Sequence, residues 1–276
     1  MSRYLKLVNF EFNRFWKLYI VLIGVTIFSQ LIGVIVESRT YVNQANQMIY
    51  EELIPMSEFI EQNGTLSFYK ISQTLWFMGP IGLCLVVLII YVFFIWYRDW
   101  LGKNTFIYRL LMLPTARIHV YLAKATTILL FTLGLVALQL ILLPIENQVL
   151  LRIVPNELRT NLSVYEMIKV PDLMIMFPNT FIEFILYYVG GMAAVFIVFT
   201  AILFERSFRM KGVFYGILYS AASIVIFLAP ILVDEFILNN YFYPLELFFM
   251  ELGTGFIVLT GAIWTGNFLI TKKVRV

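Results

Sequence analysis

Residues that perform chemistry in proteins are scarce in this chain of 276 residues. Its one cysteine, Cys84, has no partner for a disulfide within the chain, and its one histidine, His119, cannot supply an imidazole cluster for a metal ion. An intramembrane metalloprotease needs several such ligands, and the Gly-x-x-x-x-Gly-Lys-Ser/Thr motif that cradles nucleotide phosphates is also missing. We therefore expect a protein that is not an enzyme and that binds no metal or cofactor itself.

Polar side chains within the long apolar runs are the remaining candidates for binding. Such side chains cost free energy in lipid and usually face other helices or a cavity. At mid-depth these polar side chains are uncharged, and the absence of an ionisable group there disfavours an ion-coupled secondary transporter. Gln30 and Gln139 are the best candidates for groups that line a path, and hydrogen bonding between helices is the alternative for both.

The elements that position these residues are apolar segments of membrane-spanning length. The chain is 61% hydrophobic and 13% charged, with a mean hydropathy of +0.86, which leaves too little polar surface for a globule in water. About 20 apolar residues cross a bilayer as a helix. Because the runs do not alternate and backbone groups in lipid must bond internally, helices are favoured over strands. The sequence predicts an all-α polytopic membrane protein with six transmembrane helices at about 18–36, 76–97, 120–143, 180–204, 213–233 and 247–270.

The distribution of charge predicts the orientation of these spans. Most lysines and arginines lie in the N-terminal stretch, in the loops after the second and fourth spans, and in the C-terminal tail. The positive-inside rule then places both termini and these two loops in the cytoplasm, with external loops at 37–75 and 144–179. We expect a multi-pass protein of the cell membrane, namely a bacterial plasma membrane. The small net charge of +3 does not indicate a nucleic-acid partner.

Residues 1–17 have the pattern of an amphipathic helix. An aromatic-rich apolar face and a basic face lie on opposite sides of a helical wheel, which is typical of a helix in the lipid headgroup plane. The alternative is a basic flank of the first span that only sets topology. The residues predicted to carry this interfacial helix and its lipid contacts are Tyr4, Phe12, Arg14, Phe15, Trp16 and Lys17.

The loop between the second and third spans contains a second amphipathic pattern. Phe106, Ile107, Leu110 and Leu113 share one face of a helix that should end before Pro114. Either Asp99 or Asn104 could cap its start. Such a helix either lies on the membrane surface or enters a groove of a partner protein.

This loop resembles the one in permease subunits of type 2 ABC exporters. The resemblance is carried by the acidic Asp99, Lys103-Asn104-Thr105, the Leu-rich run 110–113 with Pro114, then Thr115-Ala116-Arg117, and finally Lys124. It implies that two permeases, identical or paralogous, pair above two cytoplasmic ABC ATPase subunits, which hold ATP and magnesium. It also implies that the loop helix is a coupling helix, seated in a groove of the ATPase. The residues assigned to coupling on this basis are Asp99, Thr105, Phe106, Arg109, Leu110, Leu113, Pro114 and Arg117.

The resemblance leaves two interpretations open for the arginines of this loop. Arg109 and Arg117 either meet acidic groups of the ATPase or lipid phosphates, or serve only as topology charges. The expected function is that of a membrane-spanning permease of an ATP-driven exporter. An apolar path with acidic outer loops suits a hydrophobic or cationic peptide or a similar amphiphile, and the resemblance implies that it moves outward. The alternative is a non-transporting immunity or sensory-partner protein that binds an extracellular peptide.

Overall fold

A computed structural model describes residues 3–101, 106–239 and 241–274, without the side chain of Asp172. Within these ranges the chain is helical and contains no strand. Six helices are long and apolar enough to cross a membrane, which confirms the predicted number of spans. The protein is therefore an all-helical, multi-pass membrane protein.

The described residues form helices of very different length. The helices are α1 Arg3–Asn46, α2 Met56–Asn63, α3 Phe68–Ser72, α4 Leu75–Trp100, α5 Phe106–Leu111, α6 Ile118–Ile153, α7 Val164–Ile168, α8 Pro171–Met174, α9 Phe181–Phe208, α10 Met210–Phe236 and α11 Pro244–Phe268. π-helical turns at Gln47–Glu51 and Leu269–Lys273 extend α1 and α11, and a short 3₁₀ turn covers Asn156–Leu158. The six candidate spans are α1, α4, α6, α9, α10 and α11.

Helix α1 does not end at the boundary predicted at residue 17. It runs unbroken from Arg3 to Asn46, since no proline interrupts the backbone hydrogen bonds in this stretch. Leu7, Phe15 and Tyr19 are buried, whereas Trp16 is 41% exposed. Of the aromatic residues predicted to share one lipid-facing side, Phe15 is therefore buried and Trp16 is exposed. A position in the headgroup plane stays a prediction.

Two segments predicted as external loops begin as helix. Helix α1 continues through the start of 37–75, and α6 continues to Ile153, past Pro144 within it. Both segments then form short helices. One consequence concerns Glu146, which sequence patterning placed with loop charges. It lies inside α6 with no exposed surface.

The chain divides into two compact units. Unit one comprises Met1–Arg14, Leu88–Leu129 and Ile185–Val276, and unit two comprises Phe15–Val87 and Leu130–Phe184. Unit two has two apolar clusters, which also hold the short helices in place. One cluster contains Val34, Tyr41, Ala45, Phe59, Leu66, Ile71, Leu150, Val154 and Leu158, and the other contains Phe68, Phe77, Leu143, Met167, Leu173 and Phe177.

The capping box of α7 also belongs to unit two. The Ser163 backbone amide donates to the Glu166 carboxylate, and the Ser163 hydroxyl accepts from the Glu166 amide. Hydrogen bonds from the Ser163 amide and hydroxyl to the carboxylate lower the pKa of Glu166, because they favour its charged form. The start of α7 is therefore set by its own sequence.

The turn between α9 and α10 in unit one is unusually tight. A Cβ atom on Gly212 would overlap the backbone carbonyl of Phe204 and lie 2.7 Å from the Cα of Glu205. Arg209 precedes α10 with φ 54° and ψ −132°, a conformation that L-residues adopt only at a free-energy cost. Glycine is thus required at 212 and would be preferred at 209.

We expect Arg209→Gly to raise the free energy of unfolding by about 1 kcal/mol, because glycine adopts this conformation without strain. Thermal unfolding of the purified protein in detergent measures the effect. Gly212→Ala is the matched control, and it should lower the unfolding temperature through the clash with Phe204. An unfolding temperature for Arg209→Gly at or below that of the wild type would contradict the prediction.

Candidate functional site

The centre of unit one is a buried network of ion pairs. Glu11 of α1 is 2% exposed, and Asp99 of α4 and Lys124 of α6 have no exposed surface. Lys124 Nζ lies 2.6 Å from Glu11 Oε1 and 2.5 Å from Asp99 Oδ2, and it also donates to the Ile95 carbonyl at 3.0 Å. The three donors of the ammonium group therefore have three acceptors.

Two arginines complete this network at its edge. Arg14 Nη1 donates to Asp99 Oδ1 at 2.6 Å, and Arg98 Nη2 donates to Glu11 Oε2 at 2.9 Å. Each buried carboxylate thus accepts hydrogen bonds from one lysine and one arginine, and Arg14 also lies 3.7 Å from Glu11 Oε2. This matters energetically, because a buried charge is tolerated only when opposite charges and hydrogen bonds satisfy it. The network joins the start of α1, the end of α4 and the start of α6.

The sequence contains signals for two of these residues that the initial interpretation missed. Glu11 lies one helical turn from each of Leu7 and Phe15, both buried, so an acid occupies the middle of a packed stripe. Lys124 falls inside the predicted third span rather than in its flank. Both were assigned to topology, because neither residue reveals its partner along the chain.

The network also contacts the first residue of α5. The Phe10 and Phe106 rings stack with centroids 5.6 Å apart, and the Arg14 guanidinium lies 5.3 Å from the Phe106 ring centroid. Arg14 is therefore shared between Asp99 and the loop helix through a salt bridge and a cation–π contact. The loop helix is thereby attached to the ends of the long helices.

The start of α1 holds the other end of the loop. The Arg3 side chain hydrogen-bonds to the Pro114 carbonyl, and the Tyr4 hydroxyl shares a hydrogen bond of 2.5 Å with Thr126. Tyr4 also packs edge-on against His119. Tyr4 and Arg14, predicted to belong to a lipid-facing helix, thus contact α6, α4 and α5 within unit one.

Helix α5 is shorter than predicted, and its buried face differs. Ile107, Leu110 and Leu111 are buried, whereas Leu113 is 42% exposed. Leu113 therefore does not share the helical face of Ile107 and Leu110, because the helix ends at Leu111. Thr105, like Lys103 and Asn104, lies outside the described residues.

The exposed side of this segment presents apolar, aromatic and positively charged side chains. Met112 is 70% exposed, and Tyr108 and Arg109 are exposed beside it. Together with Leu113 these residues form what we call the loop-two face. Two apolar side chains, an aromatic ring and a cation are available there for contact with a lipid or protein surface.

The structure shows partners for Asp99 and Arg117 within unit one. Asp99 lies within α4 and binds Lys124 and Arg14. Arg117 Nη1 donates to the carbonyls of Ile270 at 3.0 Å and Val274 at 3.2 Å. A cation at this position satisfies carbonyl groups at the end of a helix and opposes its dipole. Arg117 therefore fastens the C-terminal turn to loop two.

Aromatic residues extend from the ion-pair network into α9 and α11. The Trp96 ring lies 5.3 Å from Lys124 Nζ and packs edge-on against Phe199 at 5.5 Å. The Tyr121 hydroxyl donates to the Phe196 carbonyl at 3.1 Å, and Thr200 donates to the Ala262 carbonyl at 3.0 Å. A displacement of the network would therefore reach α9 and α11 through directly packed groups.

The two glutamines predicted to line a path belong to unit two. Gln30 is 1% exposed and donates from Nε2 to the Phe77 carbonyl at 3.3 Å, and Gln139 is 3% exposed. Both side chains are enclosed by helices in this conformation. The remaining residues of the predicted interfacial helix differ in exposure, with Phe12 half-buried and Lys17 exposed.

Comparison with protein-family models, curated proteins and solved structures finds no match. Among the described residues, no group of three or more His, Cys, Asp or Glu is placed to hold a metal ion. The arrangement in unit one is suited to transmitting force between helices, because paired and hydrogen-bonded buried charges resist displacement relative to one another.

Proposed function

We propose that this chain is a permease subunit of an ATP-driven exporter, and that its loop-two face docks on a cytoplasmic ATPase. The observation that supports this most directly is the attachment of α5. The loop-two face is exposed, while Phe106 at the start of the same helix packs on Phe10 and Arg14. A partner that binds this loop and displaces it therefore also displaces the ion-pair network.

The proposed mechanism is rigid-body transmission. ATP-driven closure of the ATPase subunits displaces α5, and Arg14 passes the displacement to Asp99 and Lys124. The aromatic contacts of Trp96 then carry it towards α9. Packed elements of this kind move between discrete arrangements rather than deform continuously, which suits alternation between two transport states.

The proposal includes an orientation and partners. Both termini and loop two face the cytoplasm of a bacterial plasma membrane, and a second permease, identical or paralogous, completes the pathway. Exposed Lys17 and Trp16 of α1 contact lipid headgroups. The cargo is a hydrophobic or cationic amphiphile that moves outward.

Docking can be tested with residues that the fold does not need. We expect Met112→Asp combined with Leu113→Asp to lower recovery of the ATPase at least about tenfold, because both residues are exposed and acidic groups would disrupt an apolar contact. The measurement is co-purification with an ATPase that carries the phosphate-binding motif, detected by mass spectrometry and by ATP hydrolysis. Leu110 is unsuitable, since it is buried and its replacement would damage packing.

The matched control replaces two exposed apolar residues of unit two, Met174→Asp with Ile175→Asp. This variant should retain the ATPase at the wild-type level. Equal recovery from the loop-two variant and the wild type would reject docking through this face. Absence of any such ATPase from wild-type preparations would reject the exporter and favour the immunity or sensory-partner alternative.

A further inference from the structure

Unit two contains a second set of buried polar side chains, which differs from the ion-pair network in lacking partners. Gln30 and Ser38 lie on α1, and Gln139 and Glu146 lie on α6, with exposures between 0% and 3%. Within the described residues, no hydrogen-bond partner reaches Gln30 Oε1, Ser38 Oγ, Gln139 Nε2 or either carboxylate oxygen of Glu146. Native structures rarely bury so many unpaired polar atoms without a functional reason.

Contacts within unit two give the register of α1 against α6, and Ser38 lies about two helical turns beyond Gln30 on α1. Tyr19 of α1 packs on Phe131 of α6 with ring centroids 4.7 Å apart, and Val34 shares an apolar cluster with Leu150 and Val154. These contacts show that α1 and α6 run side by side in the same direction.

A contact with α4 refines this register. The Gln30 amide donates to the Phe77 carbonyl, and Leu143 belongs to the same apolar cluster as Phe77. Gln30 therefore lies near the height of Leu143. Gln139 and Glu146 each lie about one helical turn from Leu143, on either side of it.

The unpaired atoms are mostly hydrogen-bond acceptors. Glu146 supplies two, Gln30 supplies one, and the Ser38 hydroxyl can also accept. The nearest basic residues along these helices, Arg39 and Arg152, are exposed. An isolated carboxylate without a cation is very unfavourable in an apolar interior. The complementary occupant is a group with positive charge and several N–H donors.

Helix α6 contains a proline two residues before Glu146, where its backbone hydrogen bonding is interrupted. Pro144 lies inside the helix, where it lacks an N–H and leaves the Leu140 carbonyl without its helical hydrogen bond. A helix bends most easily at such a position. Bending at Pro144 is a route by which Glu146 becomes accessible without unfolding either helix.

We propose that Glu146, with Gln30, binds the ammonium group of a cationic amphiphile when α6 bends at Pro144. The assignment of this amphiphile as cargo rests on the proposed function, since it narrows the substrate class of the exporter to amines. Binding itself requires only this chain. The experiment below therefore uses no ATPase, so that its failure is distinct from failure of docking.

The test measures binding of decylamine, which is an ammonium ion at pH 7, and of decanol to the purified full-length protein in nanodiscs by calorimetry. The wild type should bind decylamine at least about tenfold more tightly than decanol, because hydrogen bonds to a charged group are stronger than neutral ones. Glu146→Gln should remove this preference and leave decanol binding unchanged. Glu51→Gln, at an exposed glutamate, is the matched control and should keep it.

A second variant keeps the test decisive if Glu146→Gln does not fold. Glu146→Asp keeps the charge on a shorter side chain, so we expect weaker decylamine binding but a persisting preference over decanol. Equal binding of amine and alcohol by the wild type overturns the proposal. So does an amine preference in a folded Glu146→Gln protein that equals that of the wild type.

Discussion

Replacement of Lys124 with methionine is expected to lower the free energy of unfolding by about 3–5 kcal/mol. Methionine preserves most of the length of the side chain but removes the charge that binds both Glu11 and Asp99. The two carboxylates would then face each other across a buried site, with only Arg98 and Arg14 at its edge. The loss of stability arises mainly because two buried carboxylates no longer have the lysine that neutralises them, and less because one interaction is missing.

The measurement is thermal or denaturant unfolding of the purified protein in detergent, followed by circular dichroism. Lys17→Met is the control, because Lys17 of α1 is exposed, and it should change stability by no more than about 0.5 kcal/mol. The combination of Lys124→Met with Glu11→Gln and Asp99→Asn should recover part of the loss, since it removes the stranded charges. A Lys124→Met protein as stable as the wild type would show that the network is not formed.

Replacement of Phe106 with alanine is expected to separate binding from transport. The ring packs on Phe10 and Arg14, whereas the loop-two face lies on other residues of the segment. The variant should therefore still bind the ATPase, but the attachment of α5 to the ion-pair network would be lost. We expect ATP-driven transport to fall about tenfold or more, because a small misplacement of a coupled element has effects of this size.

Two readouts from one preparation of reconstituted complex test this expectation, namely recovery of the ATPase and uptake of a labelled cationic amphiphile into inverted vesicles. Tyr108→Ala provides the contrast, since Tyr108 is an exposed aromatic of the same helix. It should weaken binding, with transport falling only in proportion. If Phe106→Ala retained full transport, the path from α5 through Arg14 would carry no coupling.

Prolines and helix ends show where local patterns were insufficient. Apolar composition predicted six spans correctly, but the ends of α1 and α6 lie well beyond the apolar cores at 18–36 and 120–143. Polar residues can continue a helix whose hydrogen bonds are already formed, so hydropathy marks the part in lipid rather than the whole helix. For α5 the opposite occurred, because the position of Pro114 allowed a helix to residue 113, whereas the helix ends at Leu111.

The sequence by itself determined that this is a helical membrane protein with six spans, because membrane-spanning length and apolar composition are properties of single segments. Only the tertiary structure decided the state of the charged residues. Glu11 and Lys124 are separated by 113 positions, and Arg14 and Asp99 by 85, so no periodicity relates them. The same lysine is a topology charge when solvated and the centre of a network when two carboxylates meet it, and the fold alone brings them together. Conversely, the fold enclosed Glu146 without a partner, although its position along the chain had suggested an ordinary loop acid.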